Sequence, residues 1–396
     1  MMNYILFDGT EHFSLLPLTY TRPVAEIRIG ILKISEKWNR YLNSTCSFLT
    51  EAYLQEKFPV HIESDNVLIN GALLPNEDIT EQIKLLKPQE SLTYNQTLLA
   101  IRLDEAHLNL FLEGQLEQYS NTEYDSEAQL VAHTWDIFSW NGEEIEADFD
   151  LITKNRHSQS INSTVQVVGD APIFIEEGAQ LTFCTLNTTN GPIYIGKDAE
   201  IMEGSSIRGP FALCDHSTVK MGAKIYGPTT IGPESKIGGE LNNVVVFGYS
   251  NKAHDGFLGN SVIGEWCNLG ADSNNSNLKN NYAEVRLWDY KTERFAKTGL
   301  QFCGLIMGDH SKCGINTMFN TGTVVGVSAN IFGSGFPRNF VPSFSWGGAA
   351  GFTEYKTDKA FEVAEKVFKR RSLTFDDIEK QILNHVFDLT QKYRKY

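Results

Sequence analysis

The stretch Lys252-Ala253-His254-Asp255-Gly256-Phe257-Leu258-Gly259, followed by Ser261 to Ala271, sets a basic, an acidic and an imidazole side chain within four residues. An amine nucleophile must be unprotonated to attack, and imidazole can accept its proton at neutral pH, so His254 is a candidate general base. An isolated histidine is more often a surface group bonded within its own segment. The flanking Lys252, Asp255 and Gly256, with Asn268 and Asn277 downstream, tip the reading towards chemistry. His216 and His310 lack such company and read as structural.

Composition narrows what such a site can serve. The formal net charge of −15 and a pI near 5.1 argue against a nucleic-acid surface, which needs clustered Lys and Arg. A few local cations still suffice for a phosphorylated small substrate. The six cysteines form no CxxC pair. The N-terminus does not resemble a charged-then-apolar signal, and no apolar run is long enough to span a bilayer. The expectation is a cytoplasmic protein with free thiols and neither nucleic acid nor membrane as partner.

The elements that must position His254 are announced by a repeat. Ile195, Ile201, Ile207, Leu213, Val219, Ile225, Ile231 and Ile237 stand six apart without a break. The register returns at Phe257, Ile263 and Leu269, and again at Met307, Cys313, Phe319, Val325 and Ile331. A six-residue period fits neither an α-helix nor simple strand alternation. It fits a triangular coil whose flat sides each point one aliphatic side chain inward, so that stacked coils bury a continuous core. The expectation is a left-handed parallel β-helix of the hexapeptide-repeat type over residues 167–345. Residues 272–300, with Asn274-Asn275-Ser276-Asn277 and Trp288-Asp289-Tyr290-Lys291, interrupt the period and read as an expelled surface loop.

Before the repeat, residues 1–130 mix short apolar strands with helical stretches, the pattern of an α/β layer domain. Tyr4 to Phe7 and Val67 to Ile69 read as strands, Ala25 to Leu42 and Glu105 to Leu116 as helices. Residues 131–166 read as a connector. After the repeat, residues 355–396 carry two amphipathic stripes: Ala360, Phe361, Ala364, Val367 and Phe368, then Phe375, Ile378, Ile382, Val386 and Leu389. Thr374 with Asp377 reads as a capping box, and the pair as a helical cap on the open end of the β-helix.

The segment around His254 resembles the acetyltransferase half of the bifunctional glucosamine-1-phosphate acetyltransferase/N-acetylglucosamine-1-phosphate uridylyltransferases. The resemblance covers roughly residues 165–345 and is closest from Lys252 to Lys279. It implies that His254 is the base deprotonating the substrate amine, that Asn268 and Asn277 contact the sugar, and that Ala271 lies against acetyl-CoA. It implies a homotrimer whose neighbours share the acetyl-transfer pocket. Two positions depart from the family pattern: Phe257 stands where the family has a sugar-contacting tyrosine, and the phosphate-binding cations do not align, leaving Lys224, Lys252 and Lys279 as candidates.

Leu16-Pro17-Leu18-Thr19-Tyr20-Thr21-Arg22-Pro23, with Gly30 and Ile31 downstream, resembles the opening of sugar nucleotidyltransferases. Asp8-Gly9-Thr10 follows the first strand at the right distance, without the paired glycines of the usual phosphate loop. The resemblance makes Arg22, Arg28 and Lys33 candidate phosphate contacts and implies Mg²⁺. The family's metal-binding aspartate would fall near Asn70-Gly71-Ala72, where Ala72 cannot be a ligand, so the metal ligands stay unassigned. Together the two resemblances imply an enzyme of UDP-N-acetylglucosamine synthesis. It would acetylate glucosamine-1-phosphate from acetyl-CoA and couple the sugar-1-phosphate to UTP. A single-activity nucleotidyltransferase whose β-helix only trimerises, and a non-catalytic sugar-nucleotide-binding scaffold, remain as alternatives.

Overall fold

Aliphatic runs bounded by turns become strands in the computed structural model, which describes residues 2–115 and 119–396. The chain divides into two units. The first comprises the chain up to Leu15, Thr21–Ile27 and Leu32–His133; the second comprises Leu16–Tyr20, Arg28–Ile31 and Thr134–Tyr396.

The first unit is a mixed α/β sheet. Its six strands run in the order Ser47–Leu49, Asn3–Phe7, Asn66–Asn70, Thr97–Leu103, Glu90–Tyr94, Ser120–Glu123. The two strands expected from sequence, Asn3–Phe7 and Asn66–Asn70, pair in parallel at its centre. Ile5, Leu68, Ile101 and Leu103 are fully buried there. The helix expected from Ala25 begins only at Ile34, because Val24–Glu26 is a single 3₁₀ turn and Gly30 sits at φ +74°. The carboxylate of Glu36 accepts the Lys33 amide at 2.7 Å and caps the new start. The helix begun by Glu105 ends at Leu112, and Leu116 lies outside the described residues.

The second unit is a parallel β-solenoid over residues 166–347 with helices added. Three faces repeat. The first carries Thr185–Asn187, Ser206–Arg208 and Lys224–Tyr226, the second Ile193–Ile195, Phe211–Leu213 and Thr229–Ile231, and the third Glu200–Ile201, Thr218–Val219 and Lys236–Ile237. All eight aliphatic residues of the unbroken six-residue run are buried in its core.

Two details of the expected register change. Leu258 fills the inward position assigned to Phe257, which faces outward and is half-buried. Strand side chains alternate, so one residue's difference in the preceding corner exchanges inside for outside. The break also begins later: Asn274–Asn275 is a further rung, parallel to Met318–Phe319. The inserted segment then forms a hairpin, Arg286–Asp289 with Arg294–Lys297, whose Trp288 stacks on Phe340 of the solenoid at 4.2 Å.

Residues 131–166 include two helices, Asp136–Ser139 and Asn141–Thr153. Of the two C-terminal helices, Thr357–Lys369 lies along the side of the solenoid, Phe368 stacking on Trp266 at 4.0 Å. Asp377–Leu389 reaches the last coil through Phe387 against Phe344 at 5.1 Å. Its cap is Asp376, whose side chain accepts the Glu379 amide, in place of the expected Thr374.

Candidate functional site

On the third face, Lys252 pairs in register with Ile237 and so takes an inward position in a column otherwise built from Ile201, Val219, Leu269, Cys313 and Ile331. Its residue exposure is 4%. The ammonium donates to the carbonyls of Gly238 at 3.1 Å and His254 at 2.5 Å, and burial pushes its pKa down to about 8. His254 follows in the corner between the third and first faces, with its side chain and that of Asp255 exposed. Gly256 completes the corner at φ +115°, where an added Cβ would stand 2.1 Å from the Ser273 carbonyl.

The next rung anchors the strand that leaves this corner. Asn274 accepts the Phe257 amide at 2.7 Å. Asn275, buried, accepts the Gly259 amide at 2.8 Å and returns a bond to the Gly259 carbonyl at 3.0 Å. The asparagine run expected to be a surface loop is thus partly a set of internal backbone anchors. The Phe257 ring and the Asn277 carboxamide close over Gly259: a Cβ there would lie 2.5 Å from the one and 2.7 Å from the other. Asn277 also donates to Asn260 at 2.8 Å.

The remaining expected residues distribute around this corner. Asn268 is exposed one rung on, on the third face, in register with Asn251 and Lys312. Ala271 lies in the next corner, its carbonyl accepting the Asn316 amide. A groove of about 830 Å³ runs along these corners, lined by Gly256, Asp272, Asn274, Asn316 and Met318 among others. Lys279 is turned to the Glu284 carbonyl at 2.8 Å, within the inserted segment. Lys224 stands in the same outward column as Phe257, two rungs away with Glu240 between. It shares a small depression of about 200 Å³ with Arg208 and Tyr226. Sequence reading missed Arg208; the signal was its place beside the inward Ile207, where a side chain must face out.

In the first unit, Asp8 directly follows the first strand and gathers three donors. Its carboxylate accepts the Val24 amide at 2.8 Å, the Thr50 hydroxyl at 2.5 Å and a bond from His12 Nδ1 at 2.9 Å. The Val24 bond fixes the segment carrying Arg22, which is buried. Lys33 pairs with Glu26 at 2.8 Å. Arg28 belongs to the second unit, where it is buried and donates to the carbonyls of Phe247 at 3.1 Å and of Ile31. Those bonds make it an internal brace in this geometry.

No group of three His, Cys, Asp or Glu fit to hold a metal occurs among the described residues. The Asn70 carboxamide serves Ala72 N and the Leu98 carbonyl. Glu11 Oε2, however, is buried without a hydrogen-bond partner among the described residues, beside Gly9 and Asn70. Mg²⁺ typically takes one or two carboxylates and completes its shell with water and substrate phosphates, and Glu11 fits that demand.

No helix among the described residues is long and apolar enough to cross a membrane. Residues 4–157 match the family model described as sugar nucleotidyl transferase, which extends through both helices after residue 131. A bifunctional sugar-1-phosphate nucleotidylyltransferase/acetyltransferase from Sulfurisphaera tokodaii is 28% identical over 144 residues, 36% of this chain and 35% of that protein. The match therefore spans about a third of that relative's length. Among solved structures, a UDP-N-acetylglucosamine acyltransferase from Bacteroides fragilis aligns over 59% of this chain and 84% of its own, at 15% identity and a TM-score of 0.29. The Arabidopsis UDP-N-acetylglucosamine acyltransferase aligns over 60% and 82%, at 16% identity and a TM-score of 0.21. The sugar nucleotidyl transferase family model thus matches residues 4–157, on the same chain as a parallel β-solenoid.

Proposed function

We propose that the protein is a bifunctional sugar-phosphate enzyme of UDP-N-acetylglucosamine synthesis, working as a cytoplasmic homotrimer. The observation that carries the acetyl-transfer half is the His254 corner: an exposed imidazole on a backbone tied from inside by Lys252, two residues before Gly256, which lines a groove of about 830 Å³. His254 takes a proton from the amine of glucosamine-1-phosphate as the nitrogen attacks the thioester carbonyl of acetyl-CoA. The C–S bond breaks, and the CoA thiolate leaves and is protonated. Asn268 and Asn277 would orient the sugar and Ala271 the donor. Since Lys252 and Lys279 are turned to backbone carbonyls, Lys224 and Arg208 are the better candidates for the sugar phosphate.

The nucleotidyl-transfer half rests on the family match and on Arg22, held beside the first strand by the Asp8–Val24 bond. The sugar-1-phosphate oxygen would attack the α-phosphorus of UTP, releasing pyrophosphate. Glu11 would hold Mg²⁺, which when bound neutralises triphosphate charge.

Phe257 lacks the hydroxyl of the family's tyrosine, which favours a second reading: nucleotidyl transfer alone, with the solenoid as trimerisation rod. Incubating the protein with acetyl-CoA, UTP, Mg²⁺ and a panel of amino-sugar and N-acetyl-amino-sugar 1-phosphates separates the two. Release of both free thiol and pyrophosphate is expected. Pyrophosphate alone favours the second reading, and neither product favours a non-catalytic sugar-nucleotide-binding scaffold. A monomer in solution with acetyl transfer intact would remove the shared pocket.

A further inference from the structure

One inward position on the third face of the solenoid carries a charged side chain. In the third-face column Ile201, Val219 and Ile237 precede Lys252, and Leu269, Cys313 and Ile331 follow it. A buried cation is costly, and stability alone would favour another aliphatic side chain there. Lys252 does not face the groove or the outer faces: at 4% exposure its ammonium is taken up by two corner carbonyls, Gly238 on the preceding rung and His254 on its own. The rung below and the histidine's backbone are thereby held to one point. Gly238 and Gly239 make the underlying corner tight, since an added Cβ at either would lie within 3 Å of backbone in residues 253–256.

We propose that Lys252 is a positioning residue for acetyl transfer, with no contact to substrate: it clamps the His254 carbonyl from inside the solenoid and so fixes where the imidazole is presented. This rests on the proposed role of His254. A base displaced by about 1 Å can lose on the order of 10²-fold in rate, so the clamp has catalytic value that core packing does not require.

The test is Lys252→Met in the full-length protein, which keeps the stem and removes the donors. Thiol release from acetyl-CoA with glucosamine-1-phosphate should fall about 10- to 100-fold in kcat, with the KM values for both substrates nearly unchanged. The melting temperature should hold or rise, a combination that a merely structural role would not produce. An unchanged kcat in Lys252→Met overturns the inference and leaves the His254 reading intact. A substrate KM raised with kcat retained also overturns it, since that is the mark of a substrate contact. A wild-type protein that releases no thiol with any amino-sugar phosphate sinks both. If the variant melts earlier, amide hydrogen exchange decides: faster exchange confined to residues 253–257 supports the clamp, and faster exchange throughout the solenoid overturns it.

Discussion

Asn275 holds both backbone groups of Gly259 from inside the solenoid, accepting the amide at 2.8 Å and donating to the carbonyl at 3.0 Å. The carboxamide replaces an aliphatic residue in the first-face column, between Leu258 and Phe319. Asn275→Leu restores the apolar column but strands the buried Gly259 amide, worth roughly 1–3 kcal/mol when left unpaired, while the Gly259 carbonyl keeps the Ser261 hydroxyl at 2.7 Å. The solenoid should therefore lose about 1–3 kcal/mol despite the more hydrophobic core. Chemical denaturation checks it, and a variant as stable as wild type would show that the anchor is dispensable.

Asp8 offers a parallel case in the first unit. Its bond to the Val24 amide ties the Arg22 segment to the end of the first strand. Asp8→Ala should lower UTP-dependent pyrophosphate release by about 10- to 100-fold through misplacement of that segment. Thiol release from acetyl-CoA should stay within about twofold, since His254, the base proposed for it, lies in the other unit. Parallel loss of both products would mean that the substitution acts on folding.

Much of this architecture is legible in the sequence, and the exceptions share a cause. Ile201, Ile207 and Leu213 announce the columns because aliphatic side chains at fixed spacing have one physical use. Lys252 and Asn275 stay hidden because pattern reading assigns polar residues to the surface. Their interior partners are backbone groups, which carry no sequence signal. Phe257 is misplaced by one position because both it and Leu258 are apolar and only the corner geometry chooses between them. Arg28 reads as a phosphate contact by its charge, and its bond to the Phe247 carbonyl, 219 residues away, carries no sequence signal. His254 and the asparagines are legible as types at a spacing; what holds them is not.

Lys252 also predicts a pH signature. Burial lowers its pKa from 10.5 to about 8, against the weaker opposing effects of Asp255, Cys313 and Asp272. Between those values the unfolded chain binds more protons at this site, so the native state gains stability as pH rises through that window. Below pH 8 the buried charge is a full cost to folding. Lys252→Met should thus exceed wild type in stability by the most below about pH 8, with the gap narrowing towards pH 10.5. Denaturant midpoints for the two proteins across pH 7–10.5 test this. A gap independent of pH would show that the ammonium is not buried.

The central claim is that His254 is the base of an acetyl transfer, and its most direct test is the rate of thiol release by His254→Ala with acetyl-CoA and glucosamine-1-phosphate. The side chain is exposed at a corner and outside the core, so fold and assembly should be unchanged. General-base catalysis is typically worth about 10²–10⁴-fold, and kcat should fall by that factor with little change in KM. Pyrophosphate release from UTP by the same preparation serves as the internal control and should be nearly untouched. Thiol release at the wild-type rate would contradict the account and leave His254 a structural residue of its corner.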